Sequence, residues 1–301
     1  IIGNGTHSKK IQNILKKNKL KFFIYKPQRP NYYDKKKFNE LKKCNVIFII
    51  SPNKTHFYYI NKLQKNRYIF CEKPPVNSKK ELLNLKKINL KKIYFNFNLR
   101  FLKICKLLKE RDKYKLGELI YANLSFSHGL AQKQNYKDNW RSNIKKCPKG
   151  VYEIVSIHYI DMINFFFKVS NIEKPSLINS SKIGTSFDTS LVKIKLQNSA
   201  MVNIFSTYNS SYNKNLMFLF KNGIIEQKNN LIYVRGPTMN LDKFGHFKSP
   251  KLLKKIEISE KKDFSDSLTY SVNYFLKSAK KNKNFDKKET DTSIKSNSLL
   301  F

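Results

Sequence analysis

Arginine, alanine, tryptophan, glycine and cysteine are all scarce in this chain of 301 residues, and most of these shortages exclude something. Only six of the 60 basic residues are arginine (Arg29, Arg67, Arg100, Arg111, Arg141 and Arg235), too few for a surface built to read bases or to grip phosphates bidentately. No apolar run approaches the ~18 residues that span a bilayer. The longest, Val46–Ser51 and Met162–Phe167, have the length of a buried strand or part of a buried helix. Four cysteines (Cys44, Cys71, Cys105, Cys147) lie without metal-ligand spacing, which argues against a zinc site or a disulfide framework and for reduced thiols in a cytoplasmic protein. The opening Ile1-Ile2-Gly3 is too short for the apolar core of a secretory signal. No methionine precedes it, so a few residues of a first strand are expected upstream.

What is abundant is lysine, and the formal charge reaches +39. Clustered positive charge gives phosphate affinity through counterion release. Here the lysines are spread along the chain, together with an excess of Asn, Ile, Phe and Tyr and only four alanines. AT-rich codons produce that joint skew at tolerant surface positions. The charge therefore reads as a solvated surface with weak attraction for anionic partners, and a nucleic-acid-binding function is not expected.

Apolar patterning divides the chain in two. In the first part Ile1–Gly3 ends a strand, and Ile11, Ile14 and Leu15 mark a helix. Lys21–Tyr25, Asn45–Ser51, Tyr68–Cys71 and Ile93–Phe97 follow as strands, with helices around 34–43, up to Lys65, and after the capping box Ser78-Lys79-Lys80-Glu81. Strands alternating with helices at this spacing predict a parallel sheet wound by right-handed crossovers. From about residue 118 alternation takes over. Leu119–Ser127, Leu191–Leu196, Met201–Ser206, Leu216–Phe220, Ile224–Gln227 and Leu231–Val234 read as strands with Asn and Gly turns between most of the later ones. A long apolar helix after Pro148-Lys149-Gly150 runs to about Phe167. A last helix, Ser271–Lys281, is expected to pack back. The fold class is thus α/β: a Rossmann domain over 1–117 and an α/β domain over 118–301 with a large, mostly antiparallel open sheet.

Gly3-Asn4-Gly5-Thr6-His7-Ser8 follows a strand and opens a helix, with the dinucleotide-fingerprint spacing and Ser8 in the place of the third glycine. Such a turn needs Gly3 for tightness and Gly5 for close approach of backbone to pyrophosphate, whose charge then meets the helix N-terminus. At the end of the second strand a Rossmann fold selective for NAD normally carries an acid for the ribose hydroxyls. Lys26-Pro27-Gln28-Arg29 carries none, and Lys26 and Arg29 suit a 2′-phosphate, so NADP is favoured over NAD.

Further on stand Ser51-Pro52-Asn53-Lys54-Thr55-His56, Cys71-Glu72-Lys73-Pro74, Asn98-Leu99-Arg100-Phe101, Trp140-Arg141 and Ser156-Ile157-His158-Tyr159-Ile160-Asp161. With the glycine turn and in this order, they resemble the pattern of the Gfo/Idh/MocA oxidoreductase family over nearly the whole chain. Ser156 stands where the family has a glycine. The resemblance implies reversible hydride transfer between nicotinamide and a hydroxyl-bearing carbon, usually of a sugar or nucleotide-sugar, and a homo-oligomer formed through the open sheet. It also implies roles. Gly3 to Ser8, Ser51, Pro52, Asn53, His56, Glu72, Lys73, Pro74 and Asn98 would surround the cofactor. Lys73 would orient the substrate and stabilise alkoxide charge, and His158, with a side-chain pKa near neutrality, would move the hydroxyl proton. Arg100, Trp140, Arg141 and His158 would meet the substrate. Ile154 stands where the family has an aspartate, one turn before the histidine. Asp161 shares a helix face with His158, whereas Glu153 lies about 140° round an ideal helix and would need an irregular first turn. Either can be the acid partner. The alternative is a catalytically impaired relative that binds cofactor or sugar as a regulator or scaffold.

Overall fold

The computed structural model describes residues 1–26, 35–236 and 241–301. Arg29 lies outside the described residues, so the basic pair expected to meet a 2′-phosphate is seen only at Lys26, which is exposed. Two compact units form, Ile1–Phe101 with Ser265–Phe301, and Leu102–Phe264. These differ from the ranges expected from patterning in two ways. Residues 102–117 belong with the second unit, because helix α5 (Lys103–Lys109) buries Ile104, Leu107 and Leu108 there. The C-terminal 37 residues complete the first unit rather than ending the second.

The first unit is built on three parallel strands, β1 (Val46–Ile49), β2 (Tyr68–Glu72) and β3 (Ile93–Asn96), in that spatial order. Ile2 extends the sheet beyond β1, bridging Ile49 on one side and Tyr25 on the other, both in parallel. The expected strand at Lys21–Tyr25 thus reduces to a single bridge at Tyr25: its N–H donates to Ile1 O (2.8 Å) and its carbonyl accepts from Gly3 N–H (2.9 Å). Helices α1 (Thr6–Lys17), α2 (Lys35–Lys43), α3 (His56–Leu63) and α4 (Lys79–Leu85) connect these strands. Ser78 caps α4 by accepting from Glu81 N–H, and Glu81 in turn accepts from Asn77 N–H.

The core of this unit is aromatic. Phe48, Phe70 and Tyr94 come from the sheet; Leu268, Val272 and Phe275 come from α7 (Glu260–Lys280), and Phe285 follows it. The Phe275 and Phe285 rings stack with centroids 5.7 Å apart. Each such side chain contributes roughly 1.5–3 kcal/mol on burial, so the end of the chain is integral to the fold of its beginning.

The second unit is a nine-stranded sheet in the order β12-β11-β10-β9-β4-β8-β7-β5, with β6 paired to β7. Its strands are β4 (Leu119–Ser127), β5 (Val169–Ile172), β6 (Ser176–Ile178), β7 (Thr189–Leu196), β8 (Met201–Thr207), β9 (Asn213–Phe220), β10 (Gly223–Lys228), β11 (Leu231–Arg235) and β12 (Leu252–Glu257). Only β4 and β8 run parallel. Along β7 every second residue is buried, from Ser190 through Val192 and Ile194 to Leu196, the alternation of a sheet covered on one face. The long helix expected after Gly150 opens instead with a π-helical turn, Tyr152–Ser156, before α6 (Ile157–Phe166). A twelve-residue polar helix, α8 (Lys287–Ser298), ends the chain. Among the described residues no helix is long and apolar enough to cross a membrane.

Candidate functional site

The glycine turn has the shape its sequence demands. Gly3 has φ +103°, and a Cβ there would sit 2.2 Å from the carbonyl oxygen of Ile50, so no other residue fits. Gly5 is the N-cap of α1, and a Cβ on it would meet nothing within 4 Å. That open space lies against the unsatisfied N–H groups of the first turn, where no acidic side chain competes. A dinucleotide pyrophosphate fits such a cradle. Ser8, in place of the third glycine, is fully buried and donates to Gly3 O (2.9 Å), while Gln12 donates to Ser8 Oγ and to Asn4 Oδ1. The serine therefore locks the turn onto the helix, which a glycine does not do.

His7 and Glu72 join the turn to the end of β2. Nε2 of His7 lies 2.7 Å from Glu72 Oε1, and the same oxygen accepts from Asn96 Nδ2 at 2.7 Å. From Asn96 the network runs inward: Ser271 of α7 donates to Asn96 Oδ1 (2.6 Å) and shares a hydrogen bond with Tyr94 Oη (2.8 Å). The Glu72 carboxylate raises the pKa of His7 against the opposing effect of burial. Burial disfavours the charge on Glu72, but His7, Asn96 and Lys73 outweigh it and its pKa falls below the usual value.

The Pro52–His56 and Glu72–Pro74 segments are held to each other through His56. This side chain is fully buried and both ring nitrogens meet main-chain carbonyls, Pro74 O at 2.8 Å and Ser51 O at 2.9 Å. Burial lowers its pKa despite those two acceptors. His56 is thus consumed in positioning, and what it positions is the backbone next to Lys73. Ser51 Oγ and Thr55 Oγ1 share a 2.6 Å hydrogen bond, and Pro52 O accepts from Thr55 N–H, which shapes the turn carrying Asn53. On the far side of the cis Lys73-Pro74 peptide, Asn297 of α8 accepts from Val76 N–H (2.8 Å) and donates to Val76 O (3.2 Å). Lys73, half-buried, is therefore flanked by three braces: the Glu72 side chain, the Pro74 carbonyl and the Val76 peptide. The backbone from which this lysine side chain starts is thus fixed on both sides.

Two residues expected at the ligand are spent elsewhere in the first unit. Arg100 is buried, stacks over Phe97 (5.3 Å to the ring centroid) and donates to Ser293 Oγ (2.9 Å) and Glu289 O (3.3 Å) of α8. Asn98 is buried and donates to Ser267 Oγ of α7 at 2.8 Å. Both dock the C-terminal helices.

In the second unit, Trp140 and Arg141 occupy a short 3-10 turn whose N–H at Arg141 is capped by Asn139 Oδ1. The guanidinium lies 4.7 Å from the Trp140 ring centroid, and the indole is 39% exposed, so the pair presents a flat, cationic surface. Around Arg141 the fold gathers groups that sequence reading missed. Tyr136 and Tyr208 are buried side by side in one apolar cluster, and the His128 ring packs on Tyr208 with centroids 4.8 Å apart. Burial and then the charge of Arg141 lower the pKa of His128. No spacing in the sequence announces this cluster, since its members come from three separate segments.

His158 is half-buried near the start of α6, with half-buried Ile154 and Val155 one turn before it. The irregular turn needed to carry Glu153 toward the histidine's face exists, because residues of a π turn rotate less per step than those of an α-helix. The Glu153 carboxylate is nevertheless engaged at the preceding turn. It accepts from Lys149 N–H (3.2 Å), and after burial its charge raises the pKa of the Cys147 thiol. Asp161 is almost fully buried and lies close enough to Cys105 of α5 to contribute, after burial, to pushing that thiol up to about 12. Glu153 is thus engaged at the preceding turn, while Asp161 is buried three residues after His158 on the same helix. No group of three or more His, Cys, Asp or Glu able to hold a metal occurs among the described residues.

Comparison with known proteins identifies the family and the fold. Residues 3–93 match the model of an oxidoreductase family with an NAD-binding Rossmann fold, and residues 112–268 match the C-terminal alpha/beta domain of the same family. No curated protein matches the sequence. Among solved structures, a levoglucosan dehydrogenase in complex with NADH and levoglucosan superposes with a TM-score of 0.79 at 14% identity, over 99% of this chain and 94% of that one. A dehydrogenase from Clostridium difficile gives 0.69 at 19% identity, over 99% and 95%. A myo-inositol dehydrogenase from Corynebacterium glutamicum gives 0.66 at 15%, over 92% and 80%. At these identities the likeness is one of fold. With both domain models matched over most of its length, the chain belongs to the Gfo/Idh/MocA oxidoreductase family.

Proposed function

We propose that this protein is an NAD(P)-dependent dehydrogenase or reductase acting on a hydroxyl-bearing carbon of a sugar or nucleotide-sugar. The observation that carries the reading is the bracing around Lys73: a glycine turn with room for pyrophosphate, tied by His7 and Glu72 to the loop that presents this one ammonium. The levoglucosan and myo-inositol dehydrogenases of similar fold support the substrate class. The nicotinamide, when bound, supplies the hydride acceptor or donor. Lys73 orients the substrate oxygen and offsets its developing negative charge. His158 takes or returns the hydroxyl proton, a task suited to an imidazole. Trp140 and Arg141 offer a stacking face and a cation to the sugar, and Arg141 suits one bearing a carboxylate or phosphate. NADP is preferred to NAD, on the absence of an acid among residues 26–29. The outer face of the antiparallel sheet, with Ile120, Leu191 and Met201 exposed, supports a homo-oligomer.

Fluorescence titration with NADPH and NADH, followed by turnover on a panel of sugars and cyclitols, tests this reading. Lys73→Ala and His158→Ala each lower turnover by at least ~100-fold with cofactor affinity nearly intact. An unchanged rate in either variant removes that residue from the mechanism. One observation favours the second reading, a binding protein without turnover: Ile154 stands where the family has an acid, and the neighbouring Glu153 is engaged with the Lys149 N–H. Tight cofactor binding with no activity on any substrate selects it.

A further inference from the structure

Parallel sheets of this kind present their ligands at the C-terminal ends of the strands, where the glycine turn, Asn53 and Lys73 all stand. The opposite end of the first unit's sheet carries a second concavity of about 440 Å³, formed where the chain enters β2 and β3. Five residues of strand at about 3.3 Å each put roughly 16 Å between the two ends. All nine side chains lining this cavity are lysines or amides. Lys62, Lys65, Lys91 and Lys92 supply four ammoniums, Asn66 and Asn284 are among the five amides, and none of the nine is a carboxylate or a purely aliphatic side chain. The volume is within the range of about 300–1,000 Å³ of small-molecule sites, and the lining, whose apolar surface is the stems of lysines and amides, holds no aromatic or branched aliphatic group. It offers an anion donors from every side.

The walls are fixed rather than frayed. Asn66 turns the chain after α3 in the left-handed region, with φ +59°. Phe285 N–H donates to Lys91 O at 2.8 Å, which ties the C-terminal segment to the cavity's edge. The Lys92 ammonium sits over the Tyr68 ring, 5.0 Å from its centroid, and donates to Asn282 Oδ1 at 3.2 Å; Tyr68 Oη donates to the same oxygen at 3.0 Å. Four like charges gathered in a concavity without a counter-ion repel one another, and a polyanion relieves that repulsion while each ammonium still faces water. We propose that this cavity is a binding site for a small polyanion bearing two or more phosphate groups, separate from the dinucleotide site. Its chemistry suits either a free polyphosphate or the phosphate esters of a small metabolite.

Isothermal titration calorimetry on the whole chain tests this, with tripolyphosphate and 2,3-bisphosphoglycerate as probes. One molecule of at least one probe binds per chain, and the probe that binds tighter tells free polyphosphate from ester. In the double variant Lys62→Glu/Lys91→Glu its affinity falls by about tenfold or more. The control Lys248→Glu/Lys251→Glu, which removes the same charge from the other unit, changes it by less than about threefold. Should the double variant melt early, Lys91→Gln removes one exposed ammonium and still weakens binding measurably. Retained affinity in the pocket variants, equal weakening in pocket and control variants, or duplex DNA held more tightly than either probe and released equally by both changes overturns the proposal, because each marks another site or a diffuse surface field.

Discussion

A few side chains, none of them acting on substrate, decide whether the proposed catalytic lysine is in place. His56 contributes by donating to one of two main-chain carbonyls, Pro74 O or Ser51 O, because burial lowers its pKa and the neutral ring carries one N–H. His56→Leu keeps most of the volume but leaves that carbonyl without its donor, an unsatisfied buried group costing about 1–3 kcal/mol. Denaturant melts of this variant lose about 1–3 kcal/mol; a loss under ~0.5 kcal/mol shows that the clamp is dispensable. The His7–Glu72 pair adds a pH dependence whose sign follows from its two shifts. Because the pKa of His7 is raised, its contribution is complete below the ordinary value of 6.5 and is lost as pH rises through the raised one. Because that of Glu72 is depressed, its contribution is complete above the ordinary value of 4.5 and is lost as pH falls through the depressed one. The pair is thus intact between 4.5 and 6.5. His7 is partly open to solvent, so the effect is modest. Thermal melts of the parent chain and of His7→Gln differ most inside that window and converge above it; a gap that widens with rising pH refutes the ion pair.

Elements whose folding is driven by apolar burial were legible in the sequence. The alternating residues of β7, β8 and β9, the run of β1 and the capping box of α4 all appear where their patterns place them. The glycine turn and the segment before Lys73 were legible because glycine geometry and a short motif leave few alternatives. Helix α8 was not. Its twelve residues contain one aliphatic side chain, Ile294, and it is buried through Thr290, Thr292, Ser293, Ser296 and Asn297. Polar burial of this kind depends on partners far away in sequence, such as Val76 and Arg100, which no local window shows. The π turn before α6 was also hidden, since the same residues satisfy an ordinary helix. The partners of Arg100 were hidden for a related reason: a rare arginine after a strand suggests a ligand contact, and its hydrogen bonds to the main chain and a serine of α8 reach across the sequence. Arg100→Lys separates the two roles. A lysine keeps the charge and loses the planar fork that reaches two acceptors, so the melting temperature drops by several degrees while KM for the sugar is unchanged per folded molecule. A raised KM with an unaltered melt restores the substrate role.

At the scale of the molecule, the two ends of the chain make one unit and the middle makes another. Leu268, Val272, Phe275 and Phe285 sit in the aromatic core with Phe48, Phe70 and Tyr94, and together they contribute roughly 6–12 kcal/mol of apolar burial. Domains of ordinary size have about 5–15 kcal/mol of net stability, so the sheet bearing the glycine turn does not survive without residues 265–301. Hydrogen bonds from that segment also fasten the site itself, at Asn96 through Ser271 and at Val76 through Asn297. A chain ending at Phe264 keeps every strand of the second unit and loses the first. The single tryptophan makes this readable, because Trp140 belongs to the second unit and the first has none. In the truncated chain, far-UV circular dichroism loses the helical signal of the first unit and NADH titration shows no binding, while Trp140 emission stays at its native wavelength. If instead the shortened chain binds NADH with undiminished helicity, the glycine turn, His56 and Lys73 are held by the N-terminal hundred residues alone, and the bracing by α7 and α8 is not what positions the lysine.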